Sequence, residues 1–279
     1  MLDLYKSVSF KISGIITRQY STSFSLAVSL LEKEKRDAIF AIYGFVRLAD
    51  EIVDTFHNFD KEKLLYDLEE DLRYALNNGI STNPVLYAFA ETVKYYNIPY
   101  DLVDAFLASM KSDLHKTTYS SREEIETYIY GSADVVGLMC LKVFVDGDEN
   151  KYQELYHPAK KLGSAFQKVN FLRDLNFDSN ELSRVYFPEL IGRKFTDEVK
   201  KQIVSDIEND FSEAVEGIKK LEGRARFAVL AAYYYYRALT YRIDKLSADE
   251  VLHQRISVPI FIKIALTIKS YLVYKLRLL

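Results

Sequence analysis

Tryptophan is absent from the 279-residue chain, and cysteine occurs once, at Cys140. A single cysteine excludes an internal disulfide and suits a reducing compartment, here expected to be the cytoplasm. Proline and glycine are scarce, at 5 and 10 residues. Most of them punctuate long periodic runs, which argues against a turn-rich β protein and for an all-α one. Neither sign of charge dominates. The 37 Lys and Arg against 40 Asp and Glu leave a formal charge of −3, so there is no electrostatic case for nucleic acid. Apolar runs fall short of the ~18 residues that cross a bilayer. No signal peptide is expected in Met1 to Gly14, where Asp3 and Lys6 interrupt any apolar core. With no internal repeat, low-complexity tract or Gly/Ser/Pro-rich linker, residues 1–279 read as one domain.

The hydrophobic content of 49% and charged content of 28% are those of a globular chain. The 22 Tyr and 17 Phe suit either a packed core or the wall of an apolar cavity. Helices are expected over residues 33–56, 60–77, 84–96, 99–114, 158–177, 196–221 and 224–245. Asn77-Asn78-Gly79 supplies a stop signal, and Asn83-Pro84 and Pro158 supply starts. Residues 179–194 read as irregular. Ser21-Thr22-Ser23-Phe24-Ser25 breaks the first helical segment and suits a capped helix N-terminus. Ser120-Ser121-Arg122-Glu123-Glu124 suits another. Gly131, Ala133 and Gly137 lie inside an apolar helix; small residues there allow close helix packing or the passage of a ligand chain. The segment from Val258 to Leu279 is apolar but carries Lys263, Lys269 and Lys275 six residues apart. That spacing scatters them around a helix, so a clean amphipathic anchor is not expected, and contact with the inner membrane surface stays open.

Asn170, Asp174 and Asp178 recur at four-residue spacing in an apolar helical run, and Asp50, Glu51 and Asp54 form a second acidic group. Residues four apart stack on one helix face. Two such columns suit a cation shared between helices. The four histidines, His57, His115, His157 and His253, make no Glu-x-x-His pattern, so a di-iron site is set aside. Two readings remain. The carboxylates are solvated or ion-paired faces, or they hold Mg²⁺ (Mn²⁺ as a substitute) bridging to phosphate oxygens. Arg47 and Arg173 beside the columns, with Arg184 and Arg255 further off, serve either reading, as carboxylate partners or as phosphate forks.

Several motifs, in order along nearly the whole chain, resemble the squalene/phytoene synthase family. They are Ser21-Thr22-Ser23-Phe24; Tyr43-Gly44-Phe45-Val46-Arg47-Leu48-Ala49-Asp50-Glu51-Ile52-Val53-Asp54; Tyr128 to Gly137; Gln167 to Asp174 with Asp178; and Arg184-Val185-Tyr186-Phe187-Pro188. The resemblance implies an all-α isoprenoid-synthase fold, a single helical domain with a central cavity. It implies prenyl diphosphate substrates and Mg²⁺ held by Asp50, Asp54, Asn170, Asp174 and Asp178. Tyr43 would act with the aspartates in catalysis. Ser21, Ser23, Phe24, Arg47, Gln167, Arg173, Tyr186, Tyr235 and Arg255 would bind or position substrate. The activity implied is head-to-head condensation of two geranylgeranyl diphosphates to phytoene through a cyclopropylcarbinyl diphosphate, or the same chemistry on farnesyl diphosphate. NADPH is not expected. Non-catalytic scaffold relatives lose the aspartates, which this chain keeps, and a terpene cyclase would carry a different second motif. The chain departs from the family pattern at Glu51, Ser132 and Asp134, and in the loop at 179–184, which lacks the usual Gly before Arg184 and reads one residue longer than the family's.

Overall fold

The computed structural model describes residues 1–180, 184–276 and 278, without the side chains of Ser179 and Asn180. Among them the chain is helical, with one isolated bridge between Thr118 and Val185 in place of any sheet. The helices are α1 (Leu2–Tyr20), α2 (Thr22–Val28), α3 (Lys33–Asp54), α4 (Lys61–Asn78), α5 (Pro84–Tyr95), α6 (Tyr100–Asp113) and α7 (Arg122–Ile129). A π-helical turn, Tyr130–Asp134, joins α7 to α8 (Val135–Phe144). There follow α9 (Glu149–Arg173), α10 (Leu175–Asn180), α11 (Asp197–Lys220), α12 (Gly223–Lys245), α13 (Ala248–His253) and α14 (Ile260–Leu276).

Caps fix most boundaries. Ser21 accepts from Phe24 N at 3.3 Å and opens α2, and Ser121 accepts from Glu124 N at 3.2 Å and opens α7. Ser247 and Glu250 form a reciprocal capping box for α13. α3 buries Ile39, Ile42, Phe45, Ala49 and Ile52 at three- and four-residue spacing, the stripe that draws α1, α5 and α8 around it. Phe45 stacks on Phe89 of α5 at 4.2 Å.

The small-residue stretch serves packing. A Cβ on Gly131 would stand 2.8 Å from the Ala105 carbonyl of α6, and one on Gly163 2.9 Å from the Ala133 carbonyl. Only glycine lets these helices approach so closely. Ala133 and Gly137 also border the cavity described below.

One expectation requires correction. Pro158 does not start a helix. Asp148 caps α9 by accepting from Lys151 N at 3.1 Å, and Pro158 lies inside it. Gly217 of α11 makes room for the ring, since a Cβ there would come within 2.5 Å of Pro158. The lysines of the last segment are scattered around their helix, as the spacing predicts. Lys263 turns inward to donate to Thr22 Oγ1 at 3.2 Å, while Lys269 and Lys275 stay exposed. The long reading of the 179–184 loop falls largely on residues 181–183, outside those described.

Candidate active site

A cavity of about 860 Å³ lies between α3, α8, α9 and α12. Its polar rim gathers Ser21, Tyr43, Arg47, Asp50, Asp54, Gln167, Asn170, Arg173, Asp174, Asp178, Arg184 and Arg255. Its deeper wall is apolar, including Leu31, Ile39, Val136, Cys140, Phe144, Leu155 and Leu221. At 1.5 Å per residue, the run from Asp50 back to Ile39 spans ~16 Å and that from Asp174 back to Leu155 ~28 Å. A pocket of that shape takes an extended apolar chain lengthwise beneath a charged head.

The second column survives a break in its helix. α9 ends at Arg173, yet Asp174 N donates to Asn170 O and Asp178 N to Asp174 O, each at 2.9 Å. The three side chains therefore keep four-residue stacking through the bend. Burial first, and the charges of Asp174 and Asp54 next, lift the Asp178 carboxyl to about 7. Asp50 is lifted to about 7 by burial and then by Asp54. Carboxylates of both columns thus crowd one another's field, a donor set that a divalent cation relieves.

The basic groups meet this acid. Arg173 pairs with Asp174, and Arg255 Nε lies 3.3 Å from Asp174 Oδ1. Arg184, buried, lies 2.7 Å from Asp54 Oδ1 and donates to Asp113 O at 3.1 Å. Arg47 lies over the Tyr20 ring at 4.3 Å and pairs with Glu51. Its buried Nε has no hydrogen-bond partner, a donor bordering the cavity that an anion would satisfy. Glu51 itself faces Arg47 and does not border the cavity.

Aromatic rings line the transition from rim to wall. Phe24 stacks on Tyr43 at 5.0 Å, and burial pushes the Tyr43 phenol up to about 12, so it stays protonated. Tyr186 stacks on Phe171 at 3.9 Å and on Tyr128 at 5.5 Å. The sequence reading put Tyr235 at the substrate, and the structure places it elsewhere. Tyr235 is 2% exposed, packs with Ala27 and Ala231, and bonds to Thr267 of α14. One residue is 100° of helix, and it is Tyr236 that faces the cavity, stacking on Phe166 at 3.8 Å and donating to Asn170 Oδ1 at 3.4 Å. Ser23 is half-buried and also lies off the cavity lining. Gln167 borders it and donates to Ser132 Oγ at 3.4 Å.

Sequence reasoning missed Asp113. It borders the cavity at the end of α6 and accepts from Tyr128 OH at 2.7 Å and Tyr119 OH at 3.4 Å. Burial raises its carboxyl to about 6. An isolated Asp at a helix end carries no spacing signal, so nothing in the sequence pointed to it. Asp134 is buried between the π-turn and α9, where Ser164 Oγ donates to it at 2.6 Å, and does not border the cavity.

Among the described residues, no three of His, Cys, Asp and Glu close into a metal-holding group by themselves. A hard cation such as Mg²⁺ would have to draw oxygen ligands from both columns and complete its shell with water.

A family model described as squalene/phytoene synthase matches residues 17–261. Phytoene synthase 2 of Oryza sativa subsp. japonica is 29% identical over 262 residues, covering 85% of this chain and 63% of that protein. The chain thus spans less than two thirds of that relative's length. Phytoene synthase of Arthrospira platensis is 28% identical, covering 91% of this chain and 89% of its own. A solved dehydrosqualene synthase superposes with a TM-score of 0.82 at 23% identity, over 97% of this chain and 98% of that one. That likeness shows the fold, the all-α isoprenoid-synthase fold.

Proposed function

The chain belongs to the squalene/phytoene synthase family, and from that premise we propose that it joins two geranylgeranyl diphosphates head to head to give phytoene, a step of carotenoid biosynthesis. The observation that carries this reading is the union of facing carboxylate columns and arginines with a long apolar cavity. The choice of substrate leans on the relatives named as phytoene synthases.

Ser21, Arg47, Arg173 and Arg255 bind the diphosphates at the rim, where guanidinium forks match phosphate oxygens. Asp50, Asp54, Asn170, Asp174 and Asp178 would hold Mg²⁺, which would supply charge neutralisation to the departing diphosphate. Loss of that diphosphate leaves an allylic cation. The double bond of the second substrate attacks C1, and loss of a proton closes the cyclopropane. Departure of the second diphosphate, rearrangement and loss of another proton give the 1-1′ linked hydrocarbon. The faces of Phe24, Tyr43, Phe166 and Tyr236 border the cavity where positive charge develops. The apolar wall excludes the water that would quench it.

The test is to incubate purified protein and Mg²⁺ with geranylgeranyl or farnesyl diphosphate, with and without NADPH, and identify the extracted hydrocarbon. Phytoene from the longer substrate, unchanged by NADPH, is expected. Squalene or dehydrosqualene from the shorter one alone would reassign the substrate. No prenyl product from either would overturn the reading.

A further inference from the structure

The π-helical turn between α7 and α8, Tyr130–Asp134, carries Ser132 and Asp134, two of the positions at which the chain departs from the family pattern. Both side chains reach α9. Ser164 Oγ donates to Asp134 Oδ1 at 2.6 Å, and Gln167 Nε2 donates to Ser132 Oγ at 3.4 Å. Ser164 and Gln167 are three residues apart and so neighbours on one helix face. The turn is thus fastened to α9 at two adjacent points. The backbones also lie close, since a Cβ on Gly163 would stand 2.9 Å from the Asp134 Cα. Asp134 stays out of the cavity, whereas Ser132 and Gln167 both border it. A π-turn slips an extra residue into the helical register, a feature found often at functional sites.

Gln167 stands at a chemical boundary. It precedes Asn170, the first member of the second column, by three residues, ~4.5 Å of helix rise. The polar rim lies to one side of it and the apolar wall, with Leu162, Gly163 and Phe166, to the other. A diphosphate held by that column would leave its allylic C1 at about this depth. Among the described residues the Gln167 side chain makes one hydrogen bond, the one to Ser132. An amide is a dipole with its negative end on oxygen. With Nε2 engaged by Ser132, Oε1 is left without a protein partner at the cavity border. A side chain lacking a hydroxyl at 132 would leave the amide free to turn its N–H groups inward, where they would repel positive charge.

We propose that Ser132 is a positioning residue, which holds the Gln167 amide so that its carbonyl oxygen faces the allylic cation. The inference rests on the synthase reading and deepens it. A fixed dipole aimed at developing charge stabilises the transition state more than the bound substrate, so its loss should appear in rate and not in binding. The test is steady-state and single-turnover kinetics of the full chain with Mg²⁺ and whichever of the two prenyl diphosphates the parent consumes. Ser132→Val should lower the single-turnover rate about five- to tenfold, the equivalent of one neutral hydrogen bond, with KM within about twofold. Ser132→Thr, which has the shape of valine but keeps the hydroxyl, should return the rate to within about twofold of the parent. In a Gln167→Ala background Ser132→Val should change nothing further, because the group it positions is gone. Circular dichroism checks that the variants remain folded. A valine variant as fast as the parent, a threonine variant as slow as the valine one, or effects that multiply in the double variant would overturn the proposal. So would a raised KM at unchanged rate, which would assign the amide to holding bound substrate. These outcomes are read against an active parent. A parent that forms no prenyl product from either diphosphate refutes the synthase reading, and the inference with it.

Discussion

Asp134 gives the sharpest test of the packing argument. The residue is 1% exposed and holds one strong hydrogen bond, from Ser164 Oγ. Burial raises its carboxyl from 3.8 to about 7; the Ser164 bond and the charges of Lys160 and Lys168 offset only part of that, and Asp210 adds to it. Between those two values the folded protein holds a proton that the unfolded chain has released. Stability therefore falls as pH rises from about 4 to about 7 and levels off above, where both states are ionised. At 1.36 kcal/mol per unit the loss amounts to about 4 kcal/mol, an order-of-magnitude figure. Asp134→Asn keeps the oxygen that accepts from Ser164 and removes the charge. The variant should match the parent near pH 4 and exceed it by ~2–4 kcal/mol near pH 8. Urea unfolding followed by circular dichroism across that range is the assay. Asp50, Asp113 and Asp178 titrate in the same direction, so the parent's own profile mixes several groups, but the difference between the two profiles isolates Asp134. Parallel profiles would refute the claim that this carboxyl is buried and protonated in the fold.

Asp50→Ala and Asp174→Ala should each abolish hydrocarbon formation while far-ultraviolet circular dichroism stays near that of the parent; an active double variant would refute the metal assignment. Because Asp50 and Asp178 are held near 7, Mg²⁺ binding at slightly acidic pH should release protons and tighten as pH rises. Calorimetry in buffers of different ionisation enthalpy reads that release, and heats independent of buffer would contradict it. Cys140→Phe fills part of the apolar wall two turns below the Ser132 level and should shift the product ratio toward the shorter substrate, read by competing farnesyl against geranylgeranyl diphosphate. Arg184→Ala removes the buried partner of the half-exposed Asp54 and should cost ~1.5–3 kcal/mol of stability, with Arg184→Lys falling between; an unfolding midpoint unchanged in both would show the contact to be idle.

Most of the helical fold was legible because its signals are local. Caps such as Ser21 and Ser121, and the stripe on α3, carry their meaning within a few residues. Pro158 misled because its accommodation is not local. The room for its ring comes from Gly217 on another helix, and no window around residue 158 contains that information. The lysines of the last helix are scattered as their spacing predicts, but that spacing describes positions on a wheel, not which half of the wheel meets the protein. Tyr235 and Tyr236 differ by a single position in a run of four tyrosines, where residue type is silent about facing and only the packing of α12 against α9 and α14 decides.

The acidic columns were visible as spacing, but what binds them together was not. Arg184 appeared in sequence as a further basic residue and as the first residue of the motif Arg184 to Pro188, with no sign of its partners. In the fold its amide donates to Asp178 O at 2.8 Å, its guanidinium reaches Asp54, and it also donates to the Asp113 carbonyl. One buried residue, through its amide and its guanidinium, thus ties the second column to the first, reaching Asp54 across 130 residues of sequence. Its neighbour Tyr186 extends the link into the rings of Phe171, Tyr128 and Tyr119, whose two outer hydroxyls end on Asp113. The diphosphate clamp proposed above would need its halves held at a fixed separation, because misplacement by an ångström at such a site costs rate steeply. The stacked rings and a guanidinium with three partners, Asp54, the Asp113 carbonyl and the Tyr186 hydroxyl, hold the two columns together.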